Sequence, residues 1–240
     1  MGVNINSVYQ KVLALLNKEQ RGYITPQEFN LLADRAQNEI YEAYFHKARN
    51  SNAKIKDDDQ YTDTLEMIEA KLAPFFKQEN NTTIASNILT LPTDLYKIIN
   101  ISTTLGVVTE VNRREYAWIF GGDALSNKLK PLTHTPVYYR SSGTQITIVT
   151  ASDGVISDGA VVSVSYYKKP KPPNWTYVVL QEKALYNSAA TDAQDFELLE
   201  SEEEPLVSKI LMLSGVITKQ QDIGQVGANA IQMTNQEQNS

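Results

Sequence analysis

The stretch Asn17–Phe29, NKEQRGYITPQEF, constrains this chain more than any other, because it ends one helix and begins another within thirteen residues. Gly22 reads as a stop. Thr25, Pro26 and Glu28 read as a start: Thr at an N-cap accepts from the third helical N–H, and Glu three residues later reaches back to the cap. Pro26 falls at the first helical position, where its missing donor costs nothing. Upstream, Val8, Val12, Leu15 and Leu16 give an apolar stripe at helical spacing, with Asn6 or Ser7 as its cap. Downstream, Phe29, Leu32, Ala36, Ile40 and Ala43 recur at three- and four-residue steps to about Ala48. A short turn between two such helices predicts antiparallel packing.

Residues 49–60, RNSNAKIKDDDQ, read as a polar loop, and a third helix is expected over Thr62–Phe76 with Leu65, Ile68 and Leu72 on one face. The acidic triplet Asp57–Asp59 lacks the spaced oxygens, central Gly and closing Glu of a calcium loop. From about residue 81 the texture changes to short Thr-, Val-, Ile- and Tyr-rich runs broken by Gly, Asn, Asp and Pro. Expected strands are Ile84 with Ile88–Leu91 about Asn87, Tyr96–Leu105 and Val107–Val111 about Gly106, and Val137–Arg140 with Thr144–Val149 about Ser142–Gly143. A further hairpin is expected from Val155–Ile156 and Ala160–Tyr167 about Asp158–Gly159. Asn112 and Glu115 form a second capping pattern, which starts a short helix inside this region.

Lys168–Pro173, KKPKPP, must leave the sheet, because proline cannot donate to a ladder. The run is stiff, basic and extended, and Trp175 follows it. Residues 181–200 give no clear signal. Ser201 and Glu204 form a third capping pattern, ahead of a helix carrying Val207, Ile210, Leu211 and Ser214 to about Thr218. Its apolar face needs a partner, and the N-terminal helices are expected to supply it. The tail, residues 220–240, holds six Gln and three Asn. Ile223, Val226, Ala230 and Met233 give it a thin heptad-like seam, marginal alone. The fold class expected is α+β: a helical bundle from both ends of the chain, with a small antiparallel β-domain inserted. The domain organisation expected is helices over 1–80, the β-domain over 81–200, a returning helix over 201–219 and the tail over 220–240.

Motifs for chemistry are absent. The two histidines, His46 and His134, have no second ligand at metal spacing. There is no GxSxG elbow, phosphate loop or dinucleotide fingerprint, and with no cysteine no thiol chemistry or disulfide. Neither an enzyme nor a cofactor is expected, although sequence alone does not exclude a separated carboxylate pair. No hydrophobic run approaches a membrane span, and MGVNINSVYQK lacks the basic flank and apolar block of a signal peptide. The charge is uneven: residues 81–180 carry nine Lys/Arg against six Asp/Glu, whereas residues 181–240 carry three against ten. Thirteen Tyr interleave with Arg113, Arg114, Lys128, Lys130 and Arg140, a pattern that can stack single-stranded bases. The net charge of −6 and pI of about 5.1 argue against tight nucleic-acid binding.

In order, these pieces resemble the head-to-tail adaptor and ring proteins of short-tailed bacteriophages, most closely those of crAss-like and related marine phages. The likeness rests on residues 8–45, LPTDLYKI at 91–98, EVNRREYAWI at 110–119, PVYYR at 136–140, YYKKPKPPNW at 166–175, residues 195–216 and the Gln-rich tail. It implies a virion protein made in the host cytoplasm, which forms a ring, commonly of twelve copies, beneath the portal. It further implies that the ring extends the channel for double-stranded DNA and contacts other tail rings. In that frame the interface candidates are Lys168, Lys169, Pro170, Lys171, Pro172, Pro173 and Trp175, with Ile223, Val226, Ala230 and Met233 of the tail. Rival readings are a more distal tail-hub or fibre-attachment ring, a tail-associated hydrolase and a DNA-binding module.

Overall fold

The computed structural model describes residues 2–18, 24–54, 59–104, 106–120, 136–149, 161–181, 183–217 and 232. The chain is α+β and divides into two compact units. One is formed by residues 1–74 and 170–240, and the other by the intervening residues 75–169. A β-rich unit is thus inserted into a largely helical one. The insertion ends at Lys169, earlier than the expected boundary near residue 200, because the segment after it is bonded into the helical unit.

The helical unit opens with α1 (Ile5–Lys18) and α2 (Pro26–Lys54). Thr25 and Glu28 form the expected capping box: Thr25 N–H donates to Glu28 Oε2 at 2.9 Å, and Glu28 N–H donates to Thr25 Oγ1 at 3.3 Å. Gly22 lies outside the described residues. The cap of α1 is Asn4 rather than Asn6 or Ser7, its Oδ1 accepting from Ser7 N–H at 3.0 Å. The buried stripe of α1 is Ile5, Val8, Tyr9, Val12 and Leu16, and Leu15 is exposed. Helix α2 runs six residues beyond Ala48, through half of the expected loop, and α3 (Asp59–Leu72) starts before Thr62. Helix α3 packs on α2, and the helix formed by Glu203–Ile217 packs on both α1 and α2.

Beyond Ala36 the buried positions among the described side chains of α2 are Gln37, Tyr41 and Tyr44 rather than Ile40 and Ala43. Gln37 is 0% exposed, and a polar residue at a core position hides the stripe from a reading of hydrophobic periodicity. The returning helix α5 (Glu203–Ile217) follows a 3-10 turn at Glu200–Glu202. It buries Val207, Ile210, Leu211 and Ser214 as expected. The Ser201–Glu204 capping box does not form: Ser201 lies inside the 3-10 turn, and Glu204 pairs with Lys11 Nζ at 2.5 Å. Glu203 pairs with the same lysine, and Glu202 pairs with Lys71 Nζ at 2.8 Å. The acidic run therefore fastens α5 to α1 and α3 through lysines on each.

The inserted unit is two four-stranded sheets sharing one apolar core. The first has order β1 (Phe76–Thr83), β8 (Val161–Lys168), β3 (Leu95–Thr103), β4 (Gly106–Val107), all antiparallel. The second has order β2 (Ile88–Thr90), β7 (Gln145–Val149), β6 (Val137–Arg140), β5 (Thr109–Glu110), and β5 runs parallel to β6. The sheets meet through Leu89, Ile146 and Ile148 on one side and Ile101, Val162 and Val164 on the other. The expected β6–β7 hairpin is present. The turn before Ile88 forms as expected, with Ser86 and Asn87 at φ 50° and 65° and Ala85 bridging Ile88. Its upstream arm is not an isolated partner, because β1 begins at Phe76 and pairs with β8. Strand β8 also pairs with β3, and residues 155–156, the expected partner of Ala160–Tyr167, lie outside the described residues. Asn112 caps α4 (Arg113–Phe120), accepting from Glu115 N–H at 2.8 Å while its own N–H donates to Glu115.

At the rim of the first sheet the buried Tyr166 hydroxyl shares its hydrogen between Glu79 Oε1 and Asp94 Oδ1, each 2.9 Å away. Lys77 Nζ meets Asp94 Oδ2 at 2.6 Å. Burial pushes the Asp94 carboxyl up, but the bonds from Lys77 and Tyr166 outweigh it and leave Asp94 below its ordinary value of 3.8. A depressed carboxylate contributes stability that is complete above the unfolded value and fades as pH falls through the folded one. Wild type is therefore expected to exceed Asp94→Asn in urea midpoint at pH 7. The gap should close as pH falls below about 4. A gap constant from pH 7 to pH 3 would contradict this assignment.

Candidate interaction surface

The boundary between the two units falls inside the Lys168–Trp175 run, between Lys169 and Pro170. Lys168 ends β8, opposite Leu95, and Lys169 N–H donates to Asp94 O at 2.7 Å. Both belong to the inserted unit. Beyond them the chain has no regular structure until Tyr177, as proline demands, and it is fixed by side chains from α2.

Two α2 residues seven apart, two turns along one face, do this fixing. Asn30 Oδ1 accepts from Trp175 N–H at 2.9 Å, and its Nδ2 donates to Trp175 O at 3.2 Å and Asn174 Oδ1 at 2.9 Å. Gln37 Nε2 donates to Lys171 O at 2.8 Å, and its Oε1 accepts from Glu197 N–H at 3.0 Å. Each amide offers one donor and one acceptor to a backbone that lacks a ladder partner.

Trp175 is 1% exposed. Read from the sequence as an interface candidate, it is instead a core residue. Its ring lies 4.1 Å from that of Tyr9 and stacks on Tyr177 and Tyr186 at 5.8 Å each, while Nε1–H donates to Asn6 Oδ1 at 3.1 Å. Pro170 and Pro173 are also buried, whereas Lys169, Lys171 and Pro172 are exposed. Ile223, Val226, Ala230 and Met233 lie outside the described residues, as do Lys128, Lys130 and His134.

Sequence reasoning missed a β-ribbon that follows Trp175. Strands β9 (Tyr177–Leu180) and β10 (Lys183–Tyr186) pair antiparallel, with Leu180 opposite Lys183. Gln181, at φ 48°, begins the two-residue turn. Thr176 and Asn187 close the base, Asn187 N–H donating to Thr176 O at 2.9 Å. Register assigns Tyr177, Val179, Ala184 and Tyr186 to one face and Val178, Leu180, Lys183 and Leu185 to the other. Tyr177 and Tyr186 reach Trp175. Val178, Leu180 and Leu185 are about half exposed, and Val179 is 60% exposed. The available signal was the apolar YVVL and KALY runs at two-residue spacing.

A groove of about 770 Å³ lies beside this segment, lined by Asn30, Leu31, Asp34, Lys171, Pro172 and Asp192 among others. Leu31 is 74% exposed on its α2 wall. Asp34 Oδ1 accepts from Asn38 and Asp192 Oδ2 from Asn174, so both carboxylates are held in place. The lining is mainly apolar carbon with two carboxylates and one ammonium. Among the described residues, no group of three or more His, Asp or Glu side chains converges to hold a metal ion. No helix of the described residues is long and apolar enough to cross a membrane. No protein-family model matches this chain, and no curated protein matches it.

Gln37→Ala is expected to lower unfolding free energy by about 2–4 kcal/mol, since two backbone partners lose their bonds. Trp175→Ala should cost about 3–5 kcal/mol and Trp175→Phe about 1–2 kcal/mol, because phenylalanine keeps the stacking and loses the bond to Asn6. Urea unfolding followed by circular dichroism tests both. A neutral Trp175→Ala would return the residue to the surface.

Proposed function

We propose that this chain is a structural subunit of a phage virion, a head-to-tail adaptor that assembles as a ring beneath the portal. The observation that carries the reading is the β9–β10 ribbon. Four aliphatic side chains stand largely in solvent on a two-stranded element, which is marginal without something to pack on. A chain completed by its neighbours has reason to display such a surface. The organisation also fits what the adaptor resemblance implies: a helical unit from both ends of the chain carrying an inserted β unit.

The role asks no reaction of the chain. A net charge of −6 suits a protein beside DNA that must slide past, since like charge does not hold phosphate. Repeating one heterologous contact around an axis lets individually weak interfaces close into a ring. The same surface would serve a more distal tail ring, and the portal distinguishes the two.

The test is mass by light scattering on the purified chain, alone and mixed with the portal protein of the same virion. A symmetric, stoichiometric complex with the portal is expected. Assembly that ignores the portal would move the chain to a lower tail tier. Micromolar, salt-sensitive binding to duplex DNA would overturn the passive-channel reading.

A further inference from the structure

We infer that the β9–β10 ribbon of one copy seats in the groove beside α2 of a second copy, with Lys183 of the ribbon between Asp34 and Asp192 of the groove. The inference rests on the ring reading and deepens it, since it names the two surfaces that meet.

Three observations carry it. The ribbon face formed by Val178, Leu180 and Leu185 is aliphatic and uncovered, and Lys183 is the one charged residue that register assigns to that face. The groove matches that pattern: Leu31 and Pro172 supply apolar wall, and Asp34 and Asp192 outnumber Lys171 in charge. A single ammonium arriving with an apolar strand face is what such a lining complements.

The second copy follows from length and attachment. Each ribbon strand spans four residues, roughly 13 Å at about 3.4 Å per residue. Its base is fixed by the stacking of Tyr177 and Tyr186 on Trp175 and by the Thr176–Asn187 closure. The groove is lined by Asn174, one residue before Trp175, so it lies at the root of the same ribbon. A paired ribbon extends away from its own root and cannot bend back into it without breaking the pairing of Val178 with Leu185. The ribbon and groove of one chain are therefore two different surfaces, which gives a head-to-tail contact that propagates.

The chain contains no cysteine, so introduced thiols report without background. Leu31→Cys and Leu185→Cys are both at exposed positions, and their folding is verified by circular dichroism. The two variants are mixed under mild oxidation at rising concentration. A disulfide-linked dimer of one chain of each kind is expected, about tenfold above a control mixing Leu31→Cys with Ser142→Cys. Lys183→Glu in the Leu185→Cys chain should reduce the product about fivefold, and Asp34→Lys in its partner should restore it. In the Leu31→Cys, Leu185→Cys double variant, a ladder of linked copies is expected.

No mixed product at any concentration overturns the contact. Homodimers of Leu185→Cys alone, meaning ribbon on ribbon, overturn it too, as does a disulfide closed within one chain of the double variant. Mass by light scattering separates this failure from that of the ring reading. A many-copy complex without the mixed product overturns the ribbon contact and leaves the ring standing. The mixed product in open pairs that never close retains the contact and overturns the ring.

Discussion

The helical unit depends on one irregular strand of chain being held against α2. Apart from the single bridge of Asn174 with Gln194, residues 171–175 and 197 join no ladder, yet their backbone groups are drawn toward the core by Trp175 and Phe196. Buried peptide groups need partners, and Asn30 and Gln37 supply them from one helix face. Trp175 then reaches α1 through Tyr9 and Asn6, so one residue joins two helices and the returning chain. Asp195 adds to this by accepting from Ile5 N–H at the start of α1 at 2.8 Å. Neither half of the unit would present a closed apolar surface alone.

Local signals were legible in the sequence, and distant ones were not. The Thr25–Glu28 and Asn112–Glu115 boxes formed because both partners lie within one turn. The Ser201–Glu204 pattern has the same spacing and failed because Lys11 on α1 competes for the carboxylate. Strand β1, FKQENNTT, carries almost no apolar signal and is a strand because β8 pairs with it. Gln37 broke the apparent stripe of α2 for a reason nothing near it in sequence discloses: its partners are 134 and 160 residues away. Of the interface candidates, Trp175 proved to be core, and the uncovered aliphatic surface begins three residues after it, at Val178.

The charge asymmetry also reads differently in three dimensions. The acidic run Glu202–Glu204 contributes much of the C-terminal negative charge, and all three carboxylates meet lysines of α1 or α3. Glu202 and Lys71 are largely buried, so this pair is a joint rather than a coating. Charge that looks like a solvated patch in one dimension is spent on holding α5 in place. On the β9–β10 ribbon the exposed side chains of Val178, Val179, Leu180 and Leu185 are aliphatic, which favours recognition there by shape and burial over recognition by field.

The insertion has a consequence for how the protein is made. Gly2 bridges Leu199, and an added Cβ there would lie 2.3 Å from Phe196 O, so the first residues of the chain are clamped by the segment just before α5. A ribosome adding about 5–20 residues per second reaches residue 217 on the order of ten seconds after finishing residue 74. Through that interval α1–α3 lack α5, whereas the described strands of the inserted unit are all made by residue 168, some 35 residues before α5 begins. Order of synthesis therefore lets the inserted unit close before the helical unit that brackets it. The ribbon and the α2 groove both belong to that helical unit, so the proposed contact between copies would become available only after α5 has been made.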